Sequence, residues 1–301
     1  MPVSPQLLRP QPGPGTLKEV RWGGRKLAKL RGGPLHADKP IGESWELSTL
    51  PGAVSRARGK PLTDLLAGPL PFLVKLIDTA KPLSIQVHPE DDLATGRRGK
   101  EEAWVILDAE PGAGLLAGVA EGTTLAQLRE AMLAAHDDPA HDSVLIDRLR
   151  WHEVTTGMCI VVPAGTVHAI GPGITLMEIQ QPVDCTYRLF DYGSGRPLQP
   201  DEAIAAMRVD RQPQVWTPGE PPTEVAGAHV RLRPVRGCAT VGDDAAAPCV
   251  VLAVTGDVQV TCGETSERLR PGDLVLSTGA ARVIADDDVL WIDAGLVPIG
   301  A

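Results

Sequence analysis

The amino-acid sequence predicts a mainly β protein built as two jelly-roll β-barrels with a small helical insertion. Three observations carry this expectation. Short apolar runs recur along the chain, each bounded by turn residues. Glycine and proline number 32 and 28 among 301 residues, about one residue in five, a density suited to many strands joined by tight turns. The segments 157–168 and 272–283 also repeat one turn–strand–turn–strand pattern, which we read as a degenerate internal duplication.

Taken in order, the runs SWELSTL (44–50), PFLVKLID (71–78), LSIQVH (83–88) and EAWVILD (102–108) read as strands, followed by MCIVVPA (158–164) and ITLMEIQ (174–180). Two stretches read as helices. Residues 123–136 place Leu125, Leu128, Met132 and Leu133 at helical spacing behind Thr123 or Thr124 as N-cap. Residues 200–209 open with Pro200 and two acids in the first turn. The predicted organisation is an N-terminal barrel over 1–211, with helical segments near 123–150 and 200–209. A polar, proline-rich linker over 212–225 then leads to a second barrel over 226–301.

Composition removes several function classes. With 43% apolar and 22% charged residues, the chain is globular rather than disordered. A formal charge of −9 and only 3% aromatic residues argue against a nucleic-acid partner. No run approaches 18 apolar residues and the N-terminus has no apolar core, so a cytoplasmic protein with no membrane partner is expected. The five cysteines are scattered without a C-x-x-C pair, which encodes neither a disulfide framework nor a thiolate zinc site.

The chemistry-bearing residues cluster in the first barrel. Gly157-x5-Pro163-x-Gly165-x2-His168 has the spacing of the second cupin motif, in which the histidine projects inward from a strand mouth. Gln86 and His88 are two apart, so one strand presents both on one face. Glu102 follows after a Gly/Arg/Lys-rich loop. Nitrogen and oxygen donors without sulfur suit Zn²⁺, Fe²⁺ or Mn²⁺. In the second copy Val283 stands where the spacing puts His168, so that barrel is expected to hold no metal. His36, His136, His141, His152 and His229 are read as structural. Lys75 is odd on an apolar strand face, as a pocket residue or half of a buried ion pair, and Glu178 could face the cavity as a base.

The run FLVKLIDTAKPLSIQVHPEDDLA, then GKEEAWVIL, VPAGTVHAIG and EIQQPVDCTYRLFDY, resembles the type I phosphomannose isomerase family in its short form. The resemblance covers about residues 15–210, and the second barrel only loosely. It implies one Zn²⁺ per chain, held by Gln86, His88, Glu102 and His168, and interconversion of mannose 6-phosphate and fructose 6-phosphate. Arg188 would then be the active-site arginine, with Ser84 and Lys100 near the sugar phosphate. Glu101 stands where the family carries an uncharged residue, which leaves it as an alternative oxygen ligand beside Glu102. DYGSGR replaces the more usual DYDR.

The residue types suit that reaction. Aldose–ketose isomerisation moves a proton between C1 and C2 through a cis-enediol(ate), and needs a base, a stabiliser of the oxyanion and an anchor for phosphate. Two other readings use the same residues. A cupin oxidoreductase of the Fe-dependent dioxygenase type would activate O₂ on the same ligand set. A non-catalytic sugar-phosphate-binding regulator would be expected to lack a ligand or Arg188, and none is missing.

Overall fold

The central strands of the N-terminal half alternate between two buried environments, which is why their sequences read as nearly unbroken apolar runs. In the strand Glu102–Ala109, Trp104 and Ile106 point into the barrel, whereas Ala103 and Val105 point outward into a second core. The computed structural model describes residues 5–28, 31, 39–138, 142–242 and 248–297. His36 and His141 lie outside the described residues.

The N-terminal unit is a sandwich of two antiparallel sheets. One has seven strands in the order Gln214–Trp216, Cys159–Val162, Glu102–Ala109, Ile174–Gln180, Leu73–Asp78, Ile41–Leu47, Leu17–Glu19. The other has five: Leu149–Glu153, Gly114–Val119, His168–Ile170, Ile85–Val87, Tyr187–Phe190. Their inner faces meet through Ile77, Trp104, Leu115, Ile160 and Ile170. The C-terminal unit repeats the plan with six strands, from Leu7–Leu8 to Val225–Ala226, and four, Ala239–Val241, Ala281–Ile284, Val258–Cys262 and Thr265–Leu269. Val251, Val260, Val283 and Trp291 fill its interior.

The two sandwiches join through their larger sheets. Val74, Val105, Val161 and Met177 from one pack with Val230, Leu252, Leu276 and Ile292 from the other in one continuous core. The helices cover the opposite face, where Leu128, Met132, Leu145 and Ala203 pack on Ile85, Val87 and Leu116. The order of layers is thus helices, five strands, seven strands, six strands, four strands. Among the described residues no helix is long and apolar enough to cross a membrane.

Several elements differ from the sequence reading. The helix expected over 123–136 runs Leu125–Asp137, with Thr124 and Gln127 forming a reciprocal capping box, and a second short helix follows at Asp142–Ile146. The helix opened by Pro200 ends at Ala206, because Met207 is extended and the Arg208 amide donates to the Gly165 carbonyl. The strand expected over 44–50 runs Ile41–Leu47, and Ser48 then pairs with Ser55, its amide donating to Ser55 Oγ at 3.0 Å and its carbonyl accepting from the Ser55 amide at 3.0 Å. Leu7–Leu8 pairs with Leu274–Ser277, returning the start of the chain to the C-terminal sheet. Within 212–225, Gln214–Trp216 extends the seven-stranded sheet alongside Cys159–Val162.

Candidate metal centre

His88, Glu102 and His168 converge inside the N-terminal barrel, with one ligand-type atom from each within 4.8 Å of the others. Three local features bring them together. Ile85–Val87 carries Gln86 inward and ends at His88. Gly157 and Gly165 hold positive φ angles of 92° and 86°, turning the chain before and after the strand Cys159–Val162. His168 then opens the next strand opposite Gln86, and Glu102 opens its own opposite Val162.

Glu102 bridges the two imidazoles. Its Oε2 lies 3.2 Å from His88 Nε2, and its Oε1 lies 3.1 Å from His168 Nε2 without hydrogen-bond geometry. His168 Nδ1 sits 2.9 Å from the Thr166 carbonyl; donating there leaves Nε2 with its lone pair facing the cluster. Trp104 buttresses the His168 ring edge-on, with centroids 5.5 Å apart. The Gln86 amide reaches His168 Nε2 at 3.2 Å and receives Ser84 Oγ at 3.1 Å on its other atom. A half-turn of that amide exchanges its oxygen and nitrogen, and Ser84 can serve either as donor or as acceptor.

The donor set fits a divalent metal. His88 Nδ1 and Glu102 Oε1 are buried with no hydrogen-bond partner, an expensive arrangement unless something else satisfies the site. Burial, then the neighbouring Lys100, lowers the His88 pKa to about 3, so the ring is neutral, as a ligand must be. Burial would raise the Glu102 carboxyl, but Lys100, His88 and His168 outweigh it and hold it well below the ordinary carboxylate range. The Glu101 carboxylate turns to the opposite side of the strand, away from this cluster.

The remaining candidates gather around the same cluster. Lys100 Nζ is 2.7 Å from Glu102 Oε2, 3.1 Å from His88 Nε2 and 3.9 Å from Glu178 Oε1. Glu178 pairs with Lys75 at 3.0 Å, both being buried. Burial works against the Lys75 charge, yet Glu178 and Glu43 overcome it and raise its pKa. Arg188 lies directly across from Gln86 on the adjacent strand, so the two share a face. Asp191, a nearby carboxylate, is engaged by Arg196 in two hydrogen bonds. Arg188 Nε is buried without a partner.

Sequence reasoning missed the surroundings of Glu101 and the part played by His229, whose Nε2 lies 3.2 Å from Asp91 Oδ2. The alternation in Lys100–Glu101–Glu102 was the available signal, since it sends the middle side chain to the outer face.

A β-barrel that buries two histidines and a glutamate together, joined to a second barrel with no such grouping among its described residues, defines a mainly β protein with a metal-capable site. A family profile described as phosphomannose isomerase type I, catalytic domain, matches residues 14–111. A mannose-6-phosphate isomerase from Streptococcus mutans is 30% identical over 285 residues, covering 84% of this chain and 87% of its own. Mannose-6-phosphate isomerase ManA of Bacillus subtilis is 32% identical over 234 residues, covering 67% and 69%. The chain belongs to the type I phosphomannose isomerase family, and so is an isomerase. In fold it is similar to the crystal structure of the Bacillus subtilis mannose 6-phosphate isomerase, with a TM-score of 0.71 at 23% identity over 97% of this chain and 99% of that one. A mannose 6-phosphate isomerase bound with zinc and yttrium has a TM-score of 0.66 at 16% identity, covering 97% and 100%.

Proposed function

We propose that this chain is a zinc-dependent isomerase, with one Zn²⁺ per chain, interconverting mannose 6-phosphate and fructose 6-phosphate through a cis-enediol(ate). Family membership supports the reaction. The observation that carries the metal is the buried His88–Glu102–His168 cluster, in which Glu102 Oε1 faces His168 without a hydrogen-bond partner. Gln86, His88, Glu102 and His168 would hold the ion, and nothing in the set is a thiolate. When bound, zinc supplies a Lewis acid for the sugar oxygens at C1 and C2.

The protein's own groups do the rest. Arg188 offers a planar fork of donors, in no ion pair with a carboxylate among the described residues, to two oxygens of a phosphate or an enediolate. Lys100 places a cation beside Glu102 and within reach of Glu178, where negative charge develops on the substrate. The Ser84 hydroxyl is a further donor next to Gln86. Glu178, a carboxylate pinned by Lys75, is the group best placed to carry the proton between C1 and C2. Phosphate binding then orients the sugar for these groups.

The catalytic unit is the N-terminal barrel expected over 1–211, with Leu7–Leu8 given to the C-terminal sheet and Gln214–Trp216 added to its own, and the barrel over 226–301 has no metal-capable grouping among its described residues. Five free cysteines accord with a reducing, cytoplasmic setting and a soluble sugar-phosphate partner. A coupled assay of purified protein with mannose 6-phosphate, before and after chelation and re-addition of zinc, tests the reading. Loss and recovery of turnover are expected. Iron in the native protein, with oxygen consumption and no isomerisation, would point instead to the cupin oxidoreductase.

A further inference from the structure

Glu101 is 3% exposed, and a carboxylate so buried needs strong donors. It receives three consecutive backbone amides from the C-terminal unit: Ala228 donates to Oε2 at 2.9 Å, and His229 and Val230 donate to Oε1 at 2.7 and 3.0 Å. Successive amides converging on one anion make a nest of the kind that binds phosphates elsewhere. Here the anion belongs to the chain itself. Gly227 permits the approach, since a Cβ there would fall 2.2 Å and 2.5 Å from the two carboxylate oxygens.

The clamp closes into a ring. The Glu101 amide donates to Gln181 Oε1 at 2.8 Å, and the Glu101 carbonyl accepts from the Gln181 amide at 3.1 Å. Gln181 Nε2 donates to Asp91 at 3.3 Å, and Asp91 Oδ1 accepts from the Gly99 amide at 2.6 Å. Asp91 Oδ2 meets His229 Nε2 at 3.2 Å, returning to the residue whose amide holds Glu101. The loop leading from His88 to Glu102 is thereby tied at Asp91, Gly99 and Glu101 to the second barrel.

Strand alternation gives this ring a consequence at the metal centre. Lys100 and Glu102 flank Glu101 and point the other way, into the His88–His168 cluster. Fixing the Glu101 side chain fixes the backbone that aims both. We infer that Glu101 is a positioning residue through which the C-terminal barrel holds Lys100 and Glu102 in register with the two histidines. The inference rests on the metal reading above and adds a task for a barrel with no metal-capable grouping among its described residues.

The test compares wild type with Glu101→Ala, Glu101→Gln, Gly227→Ala and a stability control, Val260→Ala, inside the C-terminal barrel. Zinc affinity of chelated protein, Tm, and kcat and KM for mannose 6-phosphate are measured for each. Glu101→Ala should weaken zinc binding about 10- to 100-fold and lower kcat more than it raises KM. Gly227→Ala should act in the same direction by displacing the carboxylate. Glu101→Gln should fall between, since its single oxygen can still accept from His229 and Val230. Val260→Ala should lower Tm with zinc affinity unchanged. Wild-type zinc affinity and kcat in both Glu101→Ala and Gly227→Ala, with only Tm reduced, would overturn the inference. If Glu101→Ala does not fold, Glu101→Gln and Gly227→Ala decide. If wild type turns over without binding zinc, the metal reading fails. Glu101 is then judged by kcat: a drop beyond that of Val260→Ala supports positioning, and an equal drop refutes it.

Discussion

Glu178 of the first barrel and Asp293 of the second stand at the same register position. Each faces a basic residue on its antiparallel neighbour, Lys75 at 3.0 Å and Arg233 at 2.9 Å. Each also lies opposite the third residue of its other neighbouring strand, Trp104 or Val251. In the same register Glu102 pairs with Val162 and Cys249 pairs with Ser277, so the second barrel keeps a buried carboxylate facing a base, here the partly exposed Arg233, and has a thiol where Glu102 stands in the first. Ala281 and Val283 face its interior on the strand matching that of His168.

One zinc per chain, located in the first barrel alone, is therefore expected. Among the described residues His88, Glu102 and His168 are the one grouping of metal-ligating side chains. Anomalous diffraction at the zinc edge checks this. A tightly held ion in the second barrel would contradict it.

His88→Ala and His168→Ala should each lose zinc and nearly all turnover yet remain folded, because apolar cores in both barrels carry the stability. Metal analysis, circular dichroism and the coupled assay separate these outcomes. Near-full zinc and near-full kcat in either variant would remove that histidine from the ligand set.

Chelated protein should lose stability on acidification. The unfolded chain protonates His88 below its ordinary pKa of 6.5, whereas burial and Lys100 delay this in the folded state to about 3. Stability is thus full above the unfolded value and declines as pH falls between the two, by at most about 1.4 kcal/mol per pH unit. Glu102 adds to the loss at lower pH: its folded pKa is depressed, so its contribution is present above its unfolded value of 4.5 and disappears as pH falls through the folded one. Urea unfolding of chelated protein at pH 7 and pH 5 measures the effect. Equal stabilities would show that folded His88 takes up its proton normally.

Much of this was legible in the chain. The fold class followed from short apolar runs, and the cluster from Gln86 and His88 on one strand face plus the turn pattern before His168. The strand Gly114–Val119 was not legible, because it is buried on both faces and contains two glycines, leaving no alternation to read. Nor was the Glu101 clamp, whose donors lie 127 to 129 residues away and are backbone amides. A side chain leaves a mark in the sequence; an amide that any residue supplies leaves none.

Replacing Lys75 by methionine should destabilise the fold by about 3–5 kcal/mol, since it leaves Glu178 charged, buried and without its closest cation. The double variant Lys75→Met/Glu178→Leu should regain most of that loss by removing both charges. Denaturant unfolding measures both. Turnover should be poor in each, because each disturbs or deletes the carboxylate assigned to proton transfer. A single variant as stable as wild type would mean the pair is not ionised.

Arg188→Lys should not behave as a conservative change. The guanidinium can grip two oxygens of an enediolate or a phosphate in one plane, whereas an ammonium is a single mobile charge. Burial, then the nearby Arg196, disfavours the Arg188 charge, and Asp191 and Asp184 offset this only in part; Asp191 is paired with Arg196, which leaves the guanidinium open to an anionic transition state. Losing one charge-assisted contact of about 2–4 kcal/mol corresponds to roughly 30- to 1000-fold in rate. If the contact strengthens in the transition state, kcat and kcat/KM fall together; if it only anchors phosphate, KM rises while kcat holds. The first outcome is expected, because Lys100 stands beside the cluster as a second cation. Zinc content should be unchanged, since arginine is not a ligand. Wild-type kcat and KM in the lysine variant would return Arg188 to a purely structural place on its strand.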